Sequence, residues 1–170
     1  KKQKRQVRRI AYRMGGEQKF QLHEIAATSI DSSTGLNKFL PAIAQGTDQG
    51  ERIGDEIHLD RLVIEGAITF SDTTNVVRVV VASQPAAGTY TMLPFYTSTY
   101  KAVDTAANGI KVWRDFLMTG GAGGPVSKKF KLNIPFKKRG QPGMKVQYNS
   151  TGSQDLIEGA PHLCLFFISD

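Results

Sequence analysis

Between Ile57 and Phe70 the apolar side chains change phase: Ile57 and Leu59 share one parity, and Leu62, Ile64, Ile68 and Phe70 share the other. Side chains alternate across a strand with a period of two, so a regular strand cannot move its apolar set from one parity to the other. The flip at Asp60 or Arg61 therefore predicts a bulge or bend where a long strand leaves one packing face for another. Long strands that switch between sheets point to a β-sandwich. A polar loop punctuated by Gly46, Gly50 and Gly54 leads into this strand.

The rest of the chain is strand-like as well. Residues 76–83 (VVRVVVAS) are β-branched on both parities, which predicts a strand covered on both faces. With a turn at residues 71–75, the two runs are expected to form a central antiparallel pair. Residues 110–119 read as a strand with Ile110, Val112, Arg114, Phe116 and Met118 on one parity. Residues 126–139 alternate most cleanly: Phe130, Leu132, Ile134 and Phe136 on one face, Lys129, Lys131, Asn133, Pro135 and Lys137 on the other. Pro135 cannot donate to a ladder, so that strand is an edge or is kinked there.

Residues 145–150 give a short strand, and residues 162–169, which include LCLFFI, an apolar last one. A first strand is expected over residues 17–30, with Phe20 and Leu22 in phase. Residues 32–44, broken by Pro41, read as irregular. Tyr90, Phe95, Tyr96 and Tyr100 form an aromatic group that either layers on the core or meets a partner. Seven or eight strands with no long helix predict an all-β sandwich or jelly roll.

Charge divides the chain more sharply than hydropathy does. Lys1, Lys2, Lys4, Arg5, Arg8, Arg9 and Arg13 place seven cations and no acid in the first 13 residues. Of 22 Lys and Arg, 22 − 7 leaves 15, equal to the 15 Asp and Glu, so the whole net charge of +7 sits in this arm. A neutral body with a dense cationic extension is the pattern of a module that binds a polyanion, and the same residues also suit nuclear targeting. Tyr12 is the arm's candidate for stacking on a base. Lys128, Lys129, Lys131, Lys137, Lys138 and Arg139 form a possible second basic patch; edge protection against unwanted strand pairing accounts for the strand lysines equally well.

Catalytic and metal chemistry lack a constellation. His23, His58 and His162 are scattered, the chain has one cysteine, and no Gly-x-Ser-x-Gly elbow is present. The GGAGGP run at residues 120–125 lacks the Gly-Lys-Ser/Thr of a phosphate-cradling loop. Asp55 and Glu56 point to opposite faces of a strand and cannot work as an acid–base pair; solvated loop charge is favoured over a cation site with Asp48 or Glu51. Cys164 reads as a small buried hydrophobe. No enzyme activity, cofactor or metal is expected. With no signal-peptide pattern and no apolar run long enough to cross a bilayer, a soluble, non-secreted chain without membrane insertion is expected.

The run Gln45, Gly46, Thr47, Arg52, Ile53, Gly54, Asp55 and Ile57 resembles a Q-G-T-x-x-x-x-R-I-G-D/N-x-I stretch of the capsid proteins of small circular Rep-encoding single-stranded DNA viruses, the circovirus-like group. Lys145, Val146, Tyr148, Asn149, Ser150, Ile168, Ser169 and Asp170 are similar to the C-terminal part of those proteins. The resemblance implies an eight-stranded antiparallel jelly roll of two facing four-stranded sheets over residues 17–170, behind a basic arm of residues 1–16. It also implies self-assembly into a T=1 icosahedral shell of 60 copies, with the arm on the genome and serving as a nuclear localisation signal read by host import machinery. The expected locations are the virion and, during assembly, the host nucleus. Satellite plant viruses with RNA genomes have a similar plan, so single-stranded DNA as the packaged partner rests on the likeness alone. The alternative is a cellular sandwich or jelly-roll oligomeric binding module with a basic nucleic-acid-binding or nuclear-targeting tail.

Overall fold

The fold is seen in a computed structural model, which describes Lys19, Leu22 and residues 24–30, 36–39, 43–48, 50–85, 109–121, 125–139, 141–149, 156 and 160–170. The basic arm, His23 and the aromatic group at residues 90–100 lie outside the described residues. Within them the chain is all-β: β1 (Leu36–Phe39), β2 (Glu56–Leu59), β3 (Arg61–Phe70), β4 (Val76–Pro85), β5 (Lys111–Thr119), β6 (Val126–Pro135), β7 (Met144–Gln147) and β8 (Pro161–Ser169). Every strand pairing is antiparallel: β1-β8-β4-β5 form one sheet, while β2 pairs with β7 and β3 with β6.

The predicted phase flip is real, and it is shared by two strands. Leu59 pairs with Met144 and Arg61 with Pro135, so the partner chain makes an excursion over residues 136–143 opposite the single residue Asp60. Asp60 holds the break together: its carbonyl accepts from the amides of Phe136 (3.0 Å) and Lys137 (3.1 Å), and its carboxylate meets Lys137 Nζ at 2.8 Å. β2 and β3 are thus one run bent at Asp60. Ile57 and Leu59 before the bend and Leu62, Ile64, Ile68 and Phe70 after it turn inward, while Val63 stays exposed.

The two layers meet in one core. Ile68 and Phe70 of β3, Ile134 of β6, Val77, Val79 and Val81 of β4, and Leu163, Leu165 and Phe167 of β8 are buried together. Aromatic rings cross between layers: Phe130 of β6 lies 6.4 Å from Phe116 of β5 and 6.3 Å from Phe167 of β8 between centroids. Phe130 reaches that position over Gly66 of β3, where a Cβ would sit 2.9 Å from its Cζ. The architecture is compatible with a β-sandwich, and burial of its aliphatic and aromatic side chains contributes about 1.5–3 kcal/mol each.

β4 is covered on both faces, as its unbroken β-branched run predicts: Val80 and Ala82 belong to a second buried cluster with Ile110, Cys164 and Phe166. Arg78 lies on the same side and is held by Asp115 of β5 through bonds of 2.8 Å and 2.5 Å.

Three expectations are corrected. The runs 57–70 and 76–83 are not a hydrogen-bonded pair; β3 and β4 lie in different sheets, and residues 71–75 carry the chain across. That connection is no tight hairpin turn. The Asp72 carboxylate caps it by accepting from the amides of Thr74 (2.8 Å) and Asn75 (3.0 Å).

Of the first strand expected over residues 17–30, Phe20 and its neighbours at 17, 18, 21 and 23 lie outside the described residues, and the described members form no strand, although Ile25 and Ile30 pack on the core. β1 falls instead within the stretch read as irregular, where pairing with β8 orders four residues too few to show a period. In β5, finally, one parity does not hold throughout. The register shifts opposite Val81 and Ala82, sending Trp113, Phe116 and Met118 to the main core and Val112 to the second cluster.

Candidate functional site

The seven cations of the arm and Tyr12 lie outside the described residues, so the geometry bears on the second basic patch and on the loop before β2. The patch is not one surface. Lys129 and Lys131 stand on the outer face of β6, and Lys131 Nζ is paired with Glu65 directly across on β3. Lys128 shares parity with Phe130 and Leu132 and is half-buried beside the core. Lys137 departs from the expected face because the strand ends at Pro135, and its ammonium turns to Asp60. Lys138 and Arg139 are exposed in the excursion, where the amide of Gln141 donates to the Lys138 carbonyl at 3.0 Å.

Sequence reasoning missed the most heavily built feature of the loop at residues 43–55. Arg52 is 2% exposed although it sits between two polar stretches. Its Nε donates to the Ile43 carbonyl at 3.2 Å, its Nη1 donates to the Gly54 carbonyl, and Nη1 meets Asp55 Oδ1 at 3.2 Å. The guanidinium carbon lies 4.1 Å from the centroid of the Tyr148 ring, so the cation also rests on an aromatic face. Tyr148 completes the clamp: its hydroxyl accepts from the Ile43 amide at 3.3 Å, and its own amide donates to the Asp55 carbonyl at 2.8 Å. Burial, the largest influence, pushes the Tyr148 phenol up.

The loop closes on itself around this arginine. Arg52 N donates to the Ala44 carbonyl at 2.8 Å and Gly46 N to the Arg52 carbonyl at 3.1 Å. The Glu51 carboxylate fills the space that a side chain at residue 46 would take, since a Cβ there would be 1.8 Å from Glu51 Oε2. That oxygen accepts from the Asp48 amide at 2.9 Å. Gly54, at φ 83°, supplies the left-handed residue that turns the chain out of the loop and into β2. Gly46, Arg52, Gly54, Asp55 and Tyr148, which carry much of the quoted resemblance, thus have packing reasons of their own.

Other candidates are placed plainly. Asp55 serves Arg52, whereas Glu56 binds Lys145 Nζ at 2.7 Å and accepts from Gln147 at 3.3 Å. The Lys145 hydrogen bond is the main cause that holds the Glu56 carboxyl below its ordinary value. Cys164 is fully buried, and desolvation pushes its thiol up to about 12. Among the described residues no three His, Cys, Asp or Glu side chains converge on a common point, and no helix is long and apolar enough to cross a membrane.

No protein-family model matches the chain, and a search of curated proteins finds no match.

Proposed function

We propose that this chain is the subunit of a T=1 icosahedral viral shell of 60 copies. Its body would be an eight-stranded jelly roll, and its arm would package single-stranded nucleic acid, DNA by the resemblance given above. The observation that carries this reading is the segregation of charge: a body of zero net charge behind an arm holding the full +7. Neutral bodies approach one another without long-range repulsion, while the arms collect a polyanion. In 60 copies the arms would bring 60 × 7, or 420, positive charges to a common interior.

The strand pairing supports the roll. A jelly roll is a long antiparallel hairpin wrapped into two sheets, so its first strand pairs with its last and each later one with the next partner inward. The chain follows that nesting: residues 36–39 pair with 164–167, the bent run β2–β3 with β7 and β6, and β4 with β5, while β8 joins β1 to β4. An eight-stranded roll needs one more nested pair at the turn-around between β4 and β5. The basic arm would also serve import into the host nucleus.

The test is binding of a single-stranded oligonucleotide across a salt series. Seven phosphate contacts at about 0.7 each give a slope of about −5 in log K against log[salt]. A chain lacking residues 1–13 is expected to lose that slope. If the shortened chain binds as tightly and as salt-dependently as the whole one, the arm is not the packaging element. A body that forms only monomers or small rings would favour the cellular module.

A further inference from the structure

The short ladder β2–β7 carries unlike surfaces at its two ends. At one end, where the Tyr148 amide meets the Asp55 carbonyl, sits the closed loop of residues 43–55. Its own charges are Asp48, Glu51 and Asp55 against the buried Arg52, and Lys19 reaches it through a bond to the Asp48 carbonyl at 2.9 Å. From this loop Ile53 projects with 64% of its surface exposed. The residue is not loose. It is fixed between Arg52, held by two carbonyls, a carboxylate and an aromatic ring, and Gly54 at φ 83°.

At the other end, where Leu59 meets Met144, sits the excursion of residues 136–143, bound to the Asp60 carbonyl and showing Lys138 and Arg139 to solvent. Gly143 is packed against the Leu59 carbonyl so closely that a Cβ would lie 2.2 Å from the oxygen, so this end is also fixed. Four residue pairs separate the two ends, about 13 Å at the rise of an antiparallel strand.

We infer that the Ile53 loop of one subunit docks on the Lys138–Arg139 turn of a second copy, head to tail. An apolar side chain presented on a preorganised turn loses little entropy on burial and is the kind of anchor that dominates a contact. Around it three acids, Asp48, Glu51 and Asp55, stand against two cations, Arg52 and Lys19, a net charge opposite in sign to that of the turn, which favours one orientation of the partner. The occupant is a second copy because both halves of the match lie on one chain, whose body beyond the arm has no net charge. Contacts between unlike patches generate closed rings and shells when the rotation closes. This assignment rests on the shell reading and specifies one of its interfaces.

The test uses the full chain, nuclease-treated in high salt so that arm-bound nucleic acid is released, then moved to assembly conditions and read by sedimentation velocity. Ile53→Lys and the double variant Lys138→Glu/Arg139→Glu are each expected to stay folded by circular dichroism and to weaken the contact about tenfold or more. Each alone is expected to fail to assemble. Mixed, they retain one sound contact, the loop from the double variant and the turn from Ile53→Lys, and are expected to give a heterodimer of 2 × 18.6 kDa, about 37 kDa. Ile53→Ser provides the same test should the lysine variant misfold. Assembly of either variant like the parent, or two inert variants that give no heterodimer, would overturn the assignment while leaving the shell reading intact. A parent chain that never assembles would remove both.

Discussion

Replacing Arg52 tests whether the loop at residues 43–55 is built around a buried cation. The side chain joins two carbonyls, one carboxylate and one aromatic ring while 2% exposed. Removing the arginine leaves the part-buried Ile43 and Gly54 carbonyls without their donor, at about 1–3 kcal/mol each, and takes the cation off the Tyr148 ring. Arg52→Ala is therefore expected to lose about 3–5 kcal/mol. Arg52→Lys should lose about 2–3 kcal/mol, since an ammonium reaches fewer of these acceptors and cannot lie flat on Tyr148. Asp55→Asn should lose under about 1 kcal/mol, its side chain being 45% exposed. The assay is urea unfolding followed by the fluorescence of the one tryptophan, Trp113, which stacks edge-on against Phe136 at 4.8 Å and donates to Ser83 Oγ at 3.1 Å. An Arg52→Lys variant within about 0.5 kcal/mol of the parent would refute the reasoning, since surface changes fall in that range.

Other outcomes follow from the same contacts. Gly66→Val should displace Phe130 from between Phe116 and Phe167 and cost about 1–3 kcal/mol, seen as a lower urea midpoint at unchanged slope. Because burial lifts the Cys164 thiol from 9.0 to about 12, the folded state holds its proton where the unfolded state releases it. That stability is present below about pH 9 and is lost as pH rises towards 12; iodoacetamide at pH 8 should label the thiol only in denaturant. In acid the sign reverses. Thr74 hydrogen bonds hold the Asp72 carboxyl below its ordinary value, so its contribution is present above about pH 4 and is lost as pH falls through the depressed value. Asp72→Asn should flatten the acid limb of the urea midpoint plotted against pH.

The features legible in the sequence were those set by one strand's own periodicity. The flip between Leu59 and Leu62, the two-faced burial of β4 and the alternation along Phe130, Leu132 and Ile134 all follow from which side chains avoid water. Pairing partners were not legible, because alternation says which face is buried and not which strand lies alongside. For that reason β3 and β4 were expected to pair and instead face each other across the core. The β5 bulge was hidden because Val112, Trp113, Phe116 and Met118 are apolar on both parities. Lys137 looked like part of a lysine face although Pro135 marked an edge or a kink, because nothing local tells that Asp60, 77 residues away, takes the ammonium. Arg52 entered only as part of the resemblance; Gly54 two residues on and the distant Tyr148 were its only marks, and the contact of Arg52 with Tyr148 exists only once β2 has paired with β7.

The most direct test of the central proposal is negative-stain electron microscopy of the purified full chain, with absorbance at 260 and 280 nm read on the same sample. Uniform shells with excess absorbance at 260 nm are the expected result, and nuclease typing would then identify the packaged strand. Small oligomers alone, across a range of salt and pH and with the arm present, would contradict the proposal.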